Sequence, residues 1–367
     1  MKKLYILLCA VFMSLFSNIN VMKAFAKDFK DYEKIWTSES RRFNGMDFQS
    51  EFISNFDSWE EVKDVWFCKE SWLHELQPLE DSAWFYEWLR AHNLTATEKD
   101  RFYWYWANYN DFSLEDGKLI AHAYGYREKN ELGGYNYKKC RPEIHSGLWN
   151  GGKLMIENKA PYYFKVDGTK LVEVRFKVPK SNLCWGIYFM TVSNHFWEDQ
   201  NKDRLKYKTE KGNFFEEIDM LELLTDDELT TESRIVTNGY LMDLENPVNG
   251  PQYFMNPKLY DNIKSSEEMS APLEVGNVDD WCKEWHTFTA QIEPTKMICY
   301  MDGIKYKEIS WKKKIGKINP DQEFMLFINP YWWTGTLYKD YFNIDAEDQN
   351  RRDYALDYVK IYHEVKK

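Results

Sequence analysis

Four acidic residues stand within seven positions of one stretch, Phe214-Phe-Glu-Glu-Ile-Asp-Met-Leu-Glu-Leu223, where they are interleaved with apolar side chains. Alternate residues of a regular β-strand share a face, so Glu217 and Asp219 would lie on one side and Glu222 on the other. One extra residue at Met220-Leu221, a β-bulge, restores the phase and places all three carboxylates on one face. The hydrophobic core then receives Ile218 and Leu223.

Carboxylates clustered in this way carry a chemical implication. Like charges at close range disfavour full ionisation, so the pKa of at least one member rises. Glycoside hydrolysis uses such a pair, because one ionised carboxylate attacks the sugar while one protonated carboxyl donates to the leaving group, and retaining enzymes hold the two about 5–5.5 Å apart. By pattern alone, a solvated polar strand face and a cation site remain alternatives.

On both sides of the acidic stretch, the sequence predicts short strands separated by turns. Apolar and charged residues alternate over Lys170–Val178 and Pro179 follows, which predicts a half-buried strand. The Asp302-Gly303 pair predicts a hairpin with a type I′ turn, and Asp116-Gly117 predicts another turn. Tyr354–Val365 reads as a closing strand. The pattern predicts an all-β sandwich.

Composition narrows the class of protein. The chain has 367 residues, of which 44% are hydrophobic and 17% aromatic, so it has ample apolar surface to bury and is not a disordered chain. Its net charge is -11, which disfavours general binding to nucleic acid. The sequence also predicts no membrane span in the mature protein. Its one extended apolar run lies at the N-terminus and is too short to cross a bilayer.

The N-terminal segment predicts export. Residues 1–26 begin with a positively charged region, continue through the apolar run Leu4–Phe16 and end in Ala24-Phe25-Ala26, a signal peptide cut after Ala26. The mature protein is therefore expected to be secreted or periplasmic. Residues 27–49 read as an N-terminal lead-in, and residues 50–367 read as one catalytic domain.

The cysteines of the mature chain predict no redox or zinc motif. They are five in number and therefore odd, and none forms a CxxC pair. Burial as small hydrophobic residues, with at most one disulfide bridge, is the interpretation we favour. The five are Cys68, Cys140, Cys184, Cys282 and Cys299.

The acidic stretch resembles a known family at this point. Glu217-Ile-Asp-Met-Leu-Glu222 resembles the bulged Glu-x-Asp-x-x-Glu signature of glycoside hydrolase family 16, in its laminarinase-like and agarase-like form. Further segments resemble other strands of that family in order and spacing over roughly residues 50–364. These segments are Asp116–Leu119, Glu173–Pro179, Trp285–Phe288 with Tyr300–Gly303, and Asp357–Tyr362.

The resemblance implies a fold and an activity. The fold would be a β-jelly-roll sandwich of two antiparallel sheets with a concave substrate cleft. Glu217 would be the nucleophile and Glu222 the general acid/base, with Asp219 tuning both. The activity would be that of a retaining endo-β-glycosidase acting through a covalent glycosyl-enzyme on β-1,3/1,4-glucan or red-algal β-galactan. A non-catalytic carbohydrate-binding protein on the same fold and a transglycosylase remain alternatives.

Two departures from the family pattern concern the substrate more than the chemistry. The family often carries Trp-Pro-Ala-Phe-Trp before the acids, whereas Cys184–Phe189 matches it well only at Trp185. The strand after the acids reads Ile235–Asn238, where many members carry a histidine.

Aromatic side chains stack on sugar rings, so tryptophans near these segments are candidates for substrate binding. They are Trp185, Trp197, Trp332 and Trp333. No histidine spacing typical of a catalytic metal is present, so the sequence predicts no catalytic metal and no required cofactor. A structural calcium is possible by the resemblance, with Asp357 as the residue to examine. The expected partner is a polysaccharide.

Overall fold

The computed structural model describes residues 39–68, 101–106, 109–147, 162–191, 215–225, 235–241, 277–311, 316–332 and 350–366. Short helices accompany the strands: α1 (Trp59–Val65), α2 (Val278–Trp281) and a 3₁₀ turn at Tyr109–Asp111. No helix within these ranges combines the length and the apolar character needed to cross a bilayer.

Strands dominate the described residues. They are β1 (Ser40–Phe43), β2 (Met46–Ser54), β3 (Arg101–Trp106), β4 (Phe112–Glu115), β5 (Lys118–Lys129), β6 (Tyr135–Arg141), β7 (Ile144–His145), β8 (Phe164–Lys165), β9 (Lys170–Lys177), β10 (Ser181–Thr191), β11 (Phe215–Thr225), β12 (Ile235–Leu241), β13 (His286–Glu293), β14 (Lys296–Met301), β15 (Ile304–Ser310), β16 (Glu323–Trp332) and β17 (Asn350–Glu364).

Two sheets organise these strands. The larger sheet has the order β15-β14-β13-β9-β17-β5-β6-β3, with β4 beside β5 and the β1–β2 hairpin beside β17. The smaller sheet has the order β12-β11-β10-β16-β7, and β8 also pairs with β16. Strand β3 runs parallel to β6, whereas the other pairs in the described sheets are antiparallel. The predicted all-β jelly-roll sandwich is confirmed, with β3 as a parallel addition.

One hydrophobic core joins the two sheets. The larger sheet contributes residues such as Val174, Phe288 and Leu356, and the smaller sheet contributes Ile187 and Ile218. Each of these side chains is at most 2% exposed. Burying an apolar side chain of this size contributes about 1.5–3 kcal/mol, so packing between the inner faces stabilises the sandwich.

The tight turns follow the sequence signals. Asp302 and Gly303 have φ of 52° and 78°, and Asp116 and Gly117 have φ of 51° and 69°, as a type I′ turn requires at both central positions. Both predicted turns are therefore confirmed. Asn44-Gly45, with φ of 48° and 81°, forms a third turn of this kind between β1 and β2.

The β1–β2 hairpin covers the outer face of the larger sheet. Arg41 contacts the carboxylate of Glu173, and Asn44 Nδ2 donates to the Tyr300 hydroxyl at 2.6 Å. Glu173 is only 6% exposed, so the prediction that β9 is half-buried is wrong: the hairpin lies over its charged side. Strand β1 and the first part of β2 lie within residues 27–49, the predicted lead-in.

Three cysteines of the described chain have buried side chains. They are Cys68, Cys282 and Cys299. For these the interpretation as small buried hydrophobic residues is confirmed. The side chains of Cys140 and Cys184 fall outside the description.

The Asp302 carboxylate ties its turn to the start of β13. Its Oδ2 lies 2.7 Å from His286 Nδ1, and its Oδ1 accepts from the Thr287 amide at 2.8 Å. Burial raises the pKa of Asp302, but the hydrogen bonds from His286 and Thr287 and the charge of His286 outweigh burial, so the pKa lies below its usual range. A lowered pKa in the folded state stabilises the protein above the ordinary aspartate pKa, and this contribution is lost as the pH falls through the lower folded-state value.

Asp302→Asn is therefore expected to lower the free energy of unfolding by about 1 kcal/mol at neutral pH, and by less once the pH falls through the lowered folded-state pKa of Asp302. Urea unfolding at several pH values measures this difference. Asp116→Asn is the matched control, because Asp116 also has positive φ at the corresponding position of its own Asp-Gly turn. Equal losses in both variants, or a loss for Asp302→Asn that does not change with pH, would contradict the expectation.

Candidate active site

Strand β11 contains the β-bulge that the acidic stretch predicts. Toward β10, the adjacent residues Ile187 and Tyr188 pair with Leu221 and Asp219, respectively. Met220 is therefore the extra residue, without a position of its own in the ladder. The bulge lies between Asp219 and Glu222, where the alternation of the sequence requires it.

The other neighbour of β11 shows the same irregularity. Asp219 pairs with Asn238 and Glu222 pairs with Val236, so three steps along β11 correspond to two along β12. Asn238 belongs to the segment that departs from the family pattern, and the register places this departure directly opposite Asp219.

The bulge gives the three acids a common face, which we call the carboxylate face: Glu217, Asp219 and Glu222. Their partners on β10 are alternate residues of a strand whose pairing with β16 is regular: Met190, Tyr188 and Gly186. The intervening residues of β11 are buried in the core: Ile218, Met220, Leu221 and Leu223. The predicted core positions of Ile218 and Leu223 are confirmed.

Solvent reaches the three acids unequally. Glu217 and Glu222 are partly exposed, whereas Asp219 between them is 2% exposed. The three acids therefore share one strand face, on which Asp219 is shielded from solvent between two more accessible glutamates.

Tyr188 lies over Gly186 on the carboxylate face. A Cβ built on Gly186 would lie 1.9 Å from the Tyr188 hydroxyl oxygen and 2.0 Å from the nearest ring carbons. The ring therefore folds back along β10, and its hydroxyl reaches the position that pairs with Glu222. A glycine at 186 is what leaves room for this phenol beside the acids.

Gly186→Ala is expected to displace the Tyr188 ring. Overpacking of this kind costs about 1–3 kcal/mol, and the displaced phenol would also reduce activity on a substrate bound at the carboxylate face. The melting temperature and kcat measure the two effects. Gly168→Ala is the control, because nothing lies within 4 Å of a Cβ at that position. Unchanged stability and activity in Gly186→Ala would show that Tyr188 does not occupy this place.

A buried amide lies on the other side of Gly186. Asn329 of β16 pairs with Gly186 and is 1% exposed. Among the described residues, its Oδ1 has no hydrogen-bond partner. A buried acceptor without a donor is costly, so this oxygen marks a position where a hydroxyl of a ligand or a water molecule would be favourable.

Aromatic rings continue from the acids toward the far edge of the smaller sheet. The Tyr188 and Phe327 ring centroids are 6.1 Å apart, and the His145 ring on β7 lies 4.3 Å from that of Phe327. His145 Nε2 is 3.3 Å from Glu143 Oε1, and both residues are buried. Three of these residues were not predicted as site residues, because their only signal is their alternation phase relative to the core residues of their strands: Tyr188, Asn329 and His145.

The prediction that Trp185 stacks on a sugar is wrong. Its side chain is 3% exposed and belongs to the core, where it packs edge-on against Tyr354 with ring centroids 3.7 Å apart. The reason is parity along β10, because Trp185 and Ile187 face the core while Gly186 and Tyr188 face the acids.

The other three tryptophan candidates stay predictions. Trp332 is the last residue of β16, where its backbone pairs with Leu183, and its side chain is outside the description. Trp197 and Trp333 lie outside the described residues.

Metal binding finds no support in the described ranges, which contain no group of three or more His, Cys, Asp or Glu side chains arranged to hold an ion. The carboxylate of Asp357, expected as a possible calcium ligand, contacts Lys118 through Oδ1 and Arg175 through Oδ2. Calcium ligands are oxygen atoms facing the ion, so a carboxylate already paired with two cations does not fit that role.

Comparisons with known proteins were made on sequence and on structure. No family model matches the chain, and no curated protein matches it. The endo-β-1,3-glucanase of Pyrococcus furiosus is 16% identical with a TM-score of 0.47, covering 90% of this chain and 100% of that one. The laminarinase catalytic domain of Thermotoga maritima is 16% identical with a TM-score of 0.46, covering 87% and 99%. A family 16 endo-glucanase of Bacteroides ovatus is 14% identical with a TM-score of 0.46, covering 84% and 99%.

Proposed function

We propose that the chain is a retaining endo-β-glycosidase of the family 16 type, which cleaves a β-linked polysaccharide at the carboxylate face. The observation that carries the proposal is the bulge at Met220, which brings Glu222 onto the face of Glu217 and Asp219. A bulge disrupts the hydrogen-bond ladder, and a strand with a merely solvent-exposed polar face would gain nothing in return. The bulge lies between Asp219 and Glu222, and a reaction that uses Glu217, Asp219 and Glu222 together explains this position.

The proposed reaction is a double displacement. The Glu217 carboxylate attacks the anomeric carbon while Glu222 protonates the departing glycosidic oxygen, which forms a glycosyl ester on Glu217. Glu222 then takes a proton from water, whose oxygen bonds to the anomeric carbon as the ester breaks. The sugar leaves with its original configuration, and both glutamates return to their starting protonation states.

The register sets the distance that the two glutamate side chains must span. Glu217 and Glu222 lie opposite Met190 and Gly186, which are four residues apart on β10 and so about 13 Å along the strand. Two glutamate side chains that lean toward each other over Asp219 close much of this distance. Retaining enzymes work with carboxyl groups about 5–5.5 Å apart.

Groups beside the acids suit a sugar ligand. The Asn329 Oδ1 would accept a hydrogen bond from a sugar hydroxyl, and the Tyr188 hydroxyl lies on the same face. A polymer crossing the strands from β11 toward β7 would pass both. We further propose that removal of residues 1–26 precedes secretion or release to the periplasm, where such a polymer is met.

A substrate panel tests the proposal. The mature protein is incubated with β-1,3-glucan, mixed-linkage β-1,3/1,4-glucan, agar and carrageenan, and released reducing ends are measured. Cleavage within one polymer, with oligosaccharide products that keep the β-configuration at first appearance, is the expected result. Tight binding to one polymer with no cleavage would instead support the carbohydrate-binding alternative, and products of increased length would indicate a transglycosylase.

A further inference from the structure

A thiol from the opposite sheet reaches the bulge. Cys299 Sγ donates to the carbonyl oxygen of Met220 at 3.6 Å, and both residues are at most 1% exposed. Cys299 belongs to β14 in the larger sheet, whereas Met220 belongs to β11 in the smaller one. The contact therefore crosses the core from sheet to sheet and ends at the extra residue of the bulge.

The contact provides a hydrogen-bond donor to a carbonyl group at the bulge. The bulge interrupts the regular ladder with β10 at Met220. A carbonyl group inside an apolar core is costly without a donor. The ladder partners of Cys299 are Ala290 on β13 and Lys307 on β15, and its thiol points away from this sheet to the Met220 carbonyl.

We propose that Cys299 is a positioning residue for the carboxylate face. Its S–H group holds the Met220 carbonyl inward, which fixes the bulge and with it the relative position of Asp219 and Glu222. The role is mechanical and acts through Met220, since Cys299 lies on the core side and touches no substrate. Its consequence for catalysis rests on the proposed function, whereas the contact itself does not.

Three substitutions separate the hydrogen bond from packing. Cys299→Val removes the donor without leaving a cavity, although valine is slightly larger than cysteine, whereas Cys299→Ser keeps a donor and removes some volume. Cys282→Ala is the control, because Cys282 is a second buried cysteine of the core, at the end of α2.

Hydrogen–deuterium exchange of the peptide 215–225 measures how firmly the bulge is held. Steady-state kinetics on the polymer cleaved by the wild type measures the effect of the bulge on kcat and KM. Cys299→Val is expected to exchange several-fold faster in this peptide and to lose about 10-fold in kcat with little change in KM. Cys299→Ser is expected to stay close to the wild type in both measurements, and Cys282→Ala to leave both unchanged.

The exchange rates and the kinetics test the positioning role and the proposed function separately. Unchanged exchange of peptide 215–225 in Cys299→Val would overturn the proposal whatever the activity. Faster exchange with unchanged kcat would overturn the positioning role. If the wild type cleaves no polymer, the proposed function fails, and the exchange of this peptide still decides whether Cys299 holds the bulge.

Discussion

Replacing Glu217 by glutamine is expected to lower kcat by about 10³-fold or more while leaving binding of the polysaccharide nearly unchanged. The amide has the size and shape of the carboxylate but no charge, so it cannot form the glycosyl ester. Because Glu217 is partly exposed and lies outside the core, the variant should fold normally. Reducing-end release and a binding isotherm on the same polymer measure the two quantities.

Azide separates the roles of the two glutamates. In Glu217→Ala, azide can enter the space left by the carboxylate and attack an activated β-glycoside directly, which yields the α-glycosyl azide. In Glu222→Ala, azide instead resolves the ester on Glu217 and yields the β-glycosyl azide. The same anomer from both variants would show that the roles assigned to these residues are wrong.

Insertion of one alanine between Met220 and Leu221 is expected to destroy both activity and stability. A shift of one residue moves every following side chain to the other face, so Glu222 would enter the core and Leu221 would take its place. A buried carboxylate without a partner costs several kcal/mol, which is a large part of the stability of a typical domain. Circular dichroism, thermal unfolding and activity measure the loss.

Deletion of Met220 is the matched counterpart. It converts the stretch to regular alternation, which keeps Glu217, Asp219 and Glu222 on one face without any bulge. The cost is one buried methionine side chain, about 2–5 kcal/mol. We expect the deletion to retain a folded protein and measurable hydrolysis. A deletion that is inactive while the insertion remains active would contradict the role given to the bulge.

The bulge could be predicted from the sequence because its signal is local. Three acids spaced at two and three residues cannot share a face of a regular strand, and the apolar residues between them conflict in the same way. The side of β10 that faces the acids could not be predicted, since it depends on register with β11. Trp185 and Tyr188 are both aromatic, and only pairing assigns one to the core and the other to the carboxylate face.

The outer face of the larger sheet shows the same limit. Alternating charges on β9 predict a wet side, but that side is covered by Arg41 of a hairpin that lies 132 positions away from Glu173 in sequence. Asn44-Gly45 is a strong hairpin signal, yet nothing local tells where the hairpin docks. Charge pairs made over such distances bury residues that composition alone would place at the surface.

The most direct test is to trap the covalent intermediate. A 2-deoxy-2-fluoro β-glycoside with a good leaving group, built on the polymer that the enzyme cleaves, slows both steps but the second more, so the ester accumulates. Mass spectrometry of the digested protein is expected to show one added glycosyl group on the peptide that contains Phe215–Thr225, with fragmentation placing it on Glu217. A glycosyl group on Glu222 or on another residue, or turnover of the reagent without any adduct, would contradict Glu217 as the nucleophile.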